Sequence, residues 1–359
     1  MTAVQHTGPG PTLGIVGGTG AVGAVVLQIL PLRRHLWGQV RVAAGDDEVG
    51  RVLRVGDEEV RVEPLAAGFF DDLDIAIFDN PPSIAAEWVE LAAERGVVAI
   101  DNSTVFRTEP DVPLVVPEVN PRRVADRPRG VIANPGATVM TMIDVLAVLH
   151  AGWELTELVV TTFQAASGLG RAGMTRLHDE LDVVHGDRTL GTRPGDVRRL
   201  LEHELGADSP FPAPLALNVV PFVGHHAGGG WTSEENKVRD ETRKILDLPD
   251  LPISATCVRV PVISSHSVTL HATFARRIKV AEARQALVEA PAVVVLDDPD
   301  EPEFPTPNDV VGADPRFVGR IRQAPGSPTT LDLFISGDNL RKGAALNMLQ
   351  TAELVAAGL

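Results

Sequence analysis

The stretch Leu13-Gly14-Ile15-Val16-Gly17-Gly18-Thr19-Gly20-Ala21-Val22-Gly23-Ala24-Val25-Val26-Leu27-Gln28-Ile29-Leu30 decides the fold. A short apolar run passes through a glycine-rich turn into a segment whose apolar residues recur at helical spacing. Strand, glycine turn and helix in that order open a dinucleotide-binding βαβ unit. Glycine lets the backbone turn tightly and approach a pyrophosphate, whose charge then rests at the helix N-terminus. The candidate cofactor-binding residues are therefore Gly17, Gly18, Thr19, Gly20, Ala21, Val22 and Gly23. A tight turn of purely structural use is the alternative; the placement of the motif between strand and helix weighs against it.

Outward from this motif, Leu13–Gly17, Val40–Ala44, Asp74–Phe78, Val97–Ile100 and Val131–Ala133 read as strands, several of them apolar throughout. Such runs suit a parallel sheet covered on both faces. Ala21–Leu30 and Ser83–Arg95 have helical spacing, and the alternation predicts a doubly wound sheet. The second strand runs into Gly45-Asp46-Asp47-Glu48. An acid about 20 residues beyond the glycines accepts hydrogen bonds from a ribose 2′-hydroxyl and repels a 2′-phosphate, so Asp46 and Asp47 favour NAD over NADP. Solvated loop acids are the other interpretation of the same residues.

Beyond Pro135 the pattern changes. Thr138–His150 is a predicted helix and Leu158–Ala166 a strand leading into Ser167-Gly168-Leu169-Gly170. Ser233–Leu246 and Ala281–Ala290 are predicted helices. Ile253–Ile263, Ser267–Phe274, Ala292–Leu296 and Thr330–Ile335 are predicted strands, and Asp297–Pro307 a surface loop. Long strands with few crossovers predict an α+β domain with a mixed sheet. A last helix over Asn339–Ala357 is predicted to be N-capped by Asp338. The expected division is 1–136 with 338–359 as the Rossmann-like, dinucleotide-binding domain, and 137–337 as the substrate-binding and dimerisation domain.

Thirty-two Lys plus Arg against 48 Asp plus Glu leave a net charge of −16 over 359 residues. A surface of that sign repels nucleic-acid phosphates and anionic membranes, so neither is an expected partner. No run reaches the ~20 apolar residues of a bilayer span. Met1–Pro11 lacks the basic and apolar regions of a signal peptide and is expected to be a floppy leader. Cys257 is the single cysteine, so no disulfide forms within the chain; a reducing, cytoplasmic location is expected. Its apolar strand marks it as an inert core thiol. His225-His226 has no acid or cysteine at ligand spacing and is expected to be loop, so no metal site is predicted.

From Leu13 to Ala357 the chain resembles the aspartate-β-semialdehyde dehydrogenase family. The resemblance rests on Ile100-Asp101-Asn102-Ser103 with Phe106-Arg107, on Val115-Val116-Pro117-Glu118-Val119-Asn120, on Ile132-Ala133-Asn134-Pro135 and on Gln164-Ala165-Ala166-Ser167-Gly168. It continues through Ser254-Ala255-Thr256-Cys257-Val258-Arg259-Val260-Pro261-Val262 and Ser336-Gly337-Asp338-Asn339-Leu340-Arg341-Lys342-Gly343-Ala344-Ala345-Leu346-Asn347. The family interconverts an aldehyde and an acyl phosphate with a cysteine nucleophile, a histidine acid/base and a nicotinamide cofactor. The resemblance implies His266 as acid/base and Gln164 as the residue orienting the acyl group. It implies Arg259 as the carboxylate clamp, Glu234 as the holder of the amino group, Arg107 and Lys237 as phosphate ligands and Asn134 as a substrate contact. Asn339 and Gln350 join the implied cofactor set, and a homodimer or tetramer is implied.

The chain departs from the family at its centre. The nucleophile of the family lies in an Asn-Pro-Asn-Cys-Ser/Thr turn; here the turn is Asn134-Pro135-Gly136-Ala137-Thr138, with Ala137 at the nucleophile position. An alanine forms no thiohemiacetal and no thioester. The Ser and Arg that follow the second strand in the family are replaced by Gly45-Asp46-Asp47, and its small Gly-Gly loop by Asp79-Asn80-Pro81-Pro82. The leading expectation is a divergent NAD(P)H-dependent oxidoreductase. It would transfer hydride to a carbonyl, imine or conjugated double bond of a small carboxylate or amino-acid-like substrate. Alternatives are a catalytically silent homologue, a non-redox lyase or cyclase using the same anion pocket, and an ordinary aspartate-semialdehyde dehydrogenase carrying an engineered cysteine-to-alanine change.

Overall fold

The computed structural model describes residues 10–358, so most of the expected leader, residues 1–9, lies outside the described residues. The chain divides into two compact units. The first ends at Gly136 and takes in Arg243–Leu248 and the C-terminal stretch from Arg341; the second holds Ala137–Thr242 and Pro249–Leu340.

The first unit is built on a seven-stranded sheet. Its strands are β1 (Leu13–Val16), β2 (Val40–Ala44), β3 (Val52–Val55), β4 (Glu58–Pro64), β5 (Ile75–Phe78), β6 (Val98–Asp101) and β7 (Val131–Ala133), in the order β3-β4-β2-β1-β5-β6-β7. All neighbours run parallel except the β3–β4 hairpin. The strands are apolar because helices cover both faces: α1 (Ala21–Ile29), α2 (Pro82–Glu94) and a C-terminal helix over Leu346–Ala356. Leu346, Met348, Leu349, Ala352 and Val355 of that last helix pack in one core with Leu13, Ile15, Ile75 and Ile100. The chain leaves β1 first toward β2 and later returns to β5 on the other side. That reversal is the topological switch point where open α/β sheets take ligands, beyond the carboxyl ends of the strands.

Sheet register aligns one residue per strand just past those carboxyl ends. Val16 pairs with Phe78, Phe78 with Asp101, and Asp101 with Ala133. The residues that follow, Gly17, Asp79, Asn102 and Asn134, therefore form a row along the sheet edge.

The second unit has a six-stranded mixed sheet, with strands β8 (Leu155–Gln164), β9 (Ile253–Arg259), β10 (His266–Phe274), β11 (Val293–Val295), β12 (Arg316–Gln323) and β13 (Thr330–Gly337). Their order is β11-β12-β13-β10-β8-β9. The helices are α3 (Ala137–Met140), α4 (Ile143–Trp153), α5 (Gly170–Val184), α6 (Asp196–Leu205), α7 (Ser233–Leu246, counted with this unit up to Thr242) and α8 (Val280–Val288). The doubly wound sheet and the mixed-sheet domain expected from sequence are both present.

Several local expectations are corrected. The helix expected over Thr138–His150 is two helices, α3 and α4, separated at Thr141-Met142. Asp338 does not cap the final α-helix. Its Oδ1 accepts from the Leu340 amide, a π-helical turn follows over Arg341–Ala345, and the α-helix begins at Leu346. The β3–β4 hairpin, whose alternating charges face solvent on an edge, helices α5 and α6 and strand β12 are additions to the expected elements.

Candidate functional site

In the second unit, sheet pairing brings three of the expected residues together. Gln164 ends β8 and pairs with Arg259, the last residue of the parallel strand β9. His266 opens β10, whose next residue Ser267 pairs with Phe163. All three stand at one end of the sheet, and all three are buried. Glu234 arrives on α7. Thr232 and Glu235 form a reciprocal capping pair at the start of that helix, the Glu235 amide to Thr232 Oγ1 at 3.3 Å and the Thr232 amide to Glu235 Oε2 at 2.8 Å. Glu235 is thereby committed to structure, and its neighbour Glu234 is left to serve the pocket.

The Glu234 carboxylate is a hub. Oε1 accepts from Thr138 Oγ1 at 2.7 Å and from Gln164 Nε2 at 3.4 Å; Oε2 accepts from Lys237 Nζ at 3.3 Å. Thr138 follows Ala137, the first residue of α3, so the vacant nucleophile position neighbours this hub in sequence. Sequence reading did not single out Thr138; its place in the nucleophile turn was the available signal.

His266 Nδ1 accepts the Ala165 amide at 3.1 Å. The ring proton therefore resides on Nε2, which has no partner among the described residues. Burial, aided by the Arg259 charge, pulls the imidazole down to about 3 from the ordinary histidine value, while Glu234 opposes the shift. The ring is neutral at physiological pH. In the free protein it is an Nε2–H donor.

Arg259 is 5% exposed, and among the described residues its hydrogen bond goes to the neutral Ala165 carbonyl, 2.7 Å from Nη1. Burial pulls its pKa down while Glu234 pulls it up. A buried guanidinium holding one carbonyl has donors to spare for an anion. Gly168 keeps the space open: a Cβ there would lie 2.6 Å from Arg259 Nη1 and 3.4 Å from His266 Nε2. The thiol of buried Cys257 is pushed up to about 12, chiefly by burial and then by Glu234.

Asn339 also lies in the second unit. Its Oδ1 accepts from Ser167 Oγ at 2.8 Å and from the Ser265 amide at 2.9 Å, tying together the segments that carry Gln164 and His266. That acceptor is spent on structure, leaving only the Nδ2 donor.

The first unit holds the remaining residues. The Gly17–Gly23 turn sits at the switch point. Gly17 has φ +90°, and a Cβ there would fall 2.2 Å from the Asp79 carbonyl, so only glycine fits. Asp46 and Asp47 are exposed in a short turn directly after β2. Asn134 is buried, accepts from Asn347 Nδ2 at 2.7 Å and donates to Asn102 Oδ1 at 2.8 Å. Gln350 Oε1 accepts from Lys342 Nζ at 2.6 Å. Arg107 is buried, with Nη2 on the Asn102 carbonyl at 2.7 Å. Arg107 thus belongs to the first unit and Lys237 to the second.

Two features test the fit of a dinucleotide. Asn80 Oδ1 is buried with no donor among the described residues, as an acceptor meant for a ligand hydroxyl or amide would be. Against that, the carboxylate of Asp79 lies at the N-terminus of α1, where a pyrophosphate would rest. The backbone cradle fits the cofactor; an ionised Asp79 does not.

The first unit thus carries a glycine turn at the switch point of a doubly wound sheet, and the second a buried arginine–histidine–glutamate cluster on a mixed sheet. Residues 12–127 match the family model described as the semialdehyde dehydrogenase NAD binding domain, and residues 146–342 match the semialdehyde dehydrogenase dimerisation domain. The chain is 43% identical to an aspartate-semialdehyde dehydrogenase of Streptomyces akiyoshiensis, over 97% of this chain and 99% of that one. It is 41% identical to the enzyme of the same name from Mycolicibacterium smegmatis, over 97% and 99%. Among solved structures it is similar to aspartate semialdehyde dehydrogenase II of Vibrio cholerae complexed with ASA. The TM-score is 0.89 and the identity 32%, covering 98% of this chain and 99% of that one. The chain belongs to the aspartate-semialdehyde dehydrogenase family. These relationships support an NAD(P)-dependent oxidoreductase, with the dimerisation domain supporting a homodimer and a small-molecule substrate.

Proposed function

We propose that this protein is an NAD(P)H-dependent oxidoreductase that reduces a carbonyl, imine or conjugated double bond of a small carboxylate or amino-acid-like substrate without forming a thioester. The observation that carries this reading is the pocket around Arg259: guanidinium, imidazole Nε2–H and the Glu234 carboxylate are all retained, while the nucleophile position holds Ala137. The cofactor would supply the hydride. Arg259 grips the substrate carboxylate through a two-pronged contact that an ammonium does not reproduce. Glu234 holds a substrate amino group, steadied by Thr138, Gln164 and Lys237. His266, held neutral chiefly by burial, would present its Nε2–H to the reacting atom as hydrogen-bond and proton donor, with Glu234 favouring and Arg259 opposing the charged ring. Asp46 and Asp47 favour NADH over NADPH, because a 2′-phosphate beside them meets like charge. Arg107 and Asn134 of the first unit and Lys237 of the second keep the residue types that the family resemblance implies for phosphate and substrate contacts, while acyl transfer to phosphate is lost with the nucleophile. The single cysteine and acidic surface agree with a cytoplasmic enzyme.

The test is phosphate-dependent oxidation of aspartate semialdehyde, followed by NAD(P)H absorbance. The wild-type chain is expected to show none. Ala137→Cys is expected to remain slow because Gly136 and the Asp79–Pro82 segment also differ from the family pattern. Robust wild-type turnover would refute the proposal, and full activity in Ala137→Cys would favour an ordinary dehydrogenase carrying a single exchange.

A further inference from the structure

The row of residues past the carboxyl ends of the first sheet is wired together. Lys342 Nζ donates to Asn347 Oδ1 at 3.1 Å, and Asn347 Nδ2 to Asn134 Oδ1 at 2.7 Å. Asn134 Nδ2 in turn donates to Asn102 Oδ1 at 2.8 Å, and Asn102 Nδ2 to Asp79 Oδ1 at 2.9 Å. Every amide passes its donor in the same direction, so the relay begins on a buried ammonium and ends on a carboxylate. Such chains polarise one another and hold their last member firmly. The Asp79 carboxylate also accepts the backbone N–H of Gly23, in the first turn of α1, and its Oδ2 lies 3.4 Å from where a Cβ of Gly20 would stand.

The backbone donors and positive dipole end of α1 are what the glycine turn offers to a pyrophosphate. Here a carboxylate of the chain itself, brought there by the Val16–Phe78 register, already takes one of those donors. We propose that Asp79 is a built-in competitor for the dinucleotide pyrophosphate, so that cofactor binding requires Asp79 to take up a proton or withdraw. The proposal rests on the dinucleotide reading above.

The surroundings of Asp79 set the sign. The glycine turn carries no titratable side chain, and α2 is entered through Pro81-Pro82-Ser83. Asp101 on β6 is the charged group that faces Asp79, and it adds repulsion. Burial raises the Asp79 carboxyl above the ordinary carboxylate range, with the Asn102 and Gly23 hydrogen bonds opposing. A pyrophosphate placed beside it raises it further, so binding takes up a proton. Cofactor affinity should then fall as pH rises above the value Asp79 holds in the free protein, by at most about tenfold per pH unit for one proton.

The experiment is calorimetric titration of NADH into the wild-type full chain, Asp79→Asn and Asp79→Ala between about pH 5 and 8, in buffers of differing ionisation enthalpy. Wild type is expected to take up a proton on binding and to weaken with rising pH. Both variants are expected to bind about tenfold or more tightly at the upper pH, with no proton uptake and a flat profile. Equal, measurable affinities in all three proteins without proton uptake would overturn the role of Asp79 and leave the dinucleotide reading standing. No binding by any of them would overturn both.

Discussion

At His266 the Ala165 amide fixes the tautomer, and burial beside Arg259 pulls the pKa down to about 3. The folded chain therefore binds fewer protons at this site than the unfolded chain between that value and the ordinary 6.5. The contribution of His266 to stability falls as pH drops through that window. Resonances of the His266 ring are expected to stay neutral through pH 5 in the free protein, and to titrate higher when a small dicarboxylate is bound. A free-state pKa near the ordinary value would remove the argument. Arg259→Lys is expected to raise KM strongly with a smaller change in kcat, and His266→Ala to lower kcat by about 100-fold or more. Cys257, held protonated by burial, is expected to resist alkylation in the native protein and to react only on unfolding; fast labelling at pH 8 would contradict its buried, high-pKa state. The candidacy of Arg259 and His266 was legible in sequence through the family resemblance. Their protonation states were not, because tautomer and desolvation depend on which backbone amide and which charge fold against the ring.

The break between α3 and α4 is stabilised by an ion pair that no sequence pattern announces. Arg316 of β12 lies 3.2 Å from Asp144 of α4, both nearly fully buried, and gives Nε to the Met140 carbonyl at the end of α3 at 2.6 Å. In a continuous helix that carbonyl would accept the amide four residues on; the break frees it for the guanidinium. Arg316→Met alone is expected to destabilise by about 3–5 kcal/mol, since it strands a buried carboxylate, and Arg316→Met with Asp144→Leu to recover most of the loss. Chemical denaturation of the single and double variants decides this; a single variant of wild-type stability would contradict it. Strands β1, β2, β5, β6 and β7 were legible because parallel buried strands are apolar throughout. Hairpin β3–β4 was not, because Arg51–Glu63 alternates charges on an exposed edge. The row Asp79–Asn102–Asn134 was also hidden: its members lie in separate segments, and only the register of the sheet makes them neighbours.

For the whole molecule, the dimerisation domain predicts a homodimer, measurable as twice the monomer mass by light scattering at micromolar concentration. A monomer there would contradict it. The central claim is that an anion pocket retaining Arg259, Glu234 and His266 serves direct hydride transfer, with no nucleophile at Ala137. Its most direct test is isotope transfer from C4-deuterated NADH, without phosphate, to a panel of small substrates. The panel would comprise amino-acid semialdehydes and 2-oxo, imino and unsaturated four- and five-carbon carboxylates, with products read by mass spectrometry. The account predicts deuterium on the reduced carbon of at least one of them, a signal lost in His266→Ala while that variant still binds NADH. It would be contradicted by no deuterium transfer to any of them alongside phosphate-dependent oxidation of aspartate semialdehyde by the same wild-type protein.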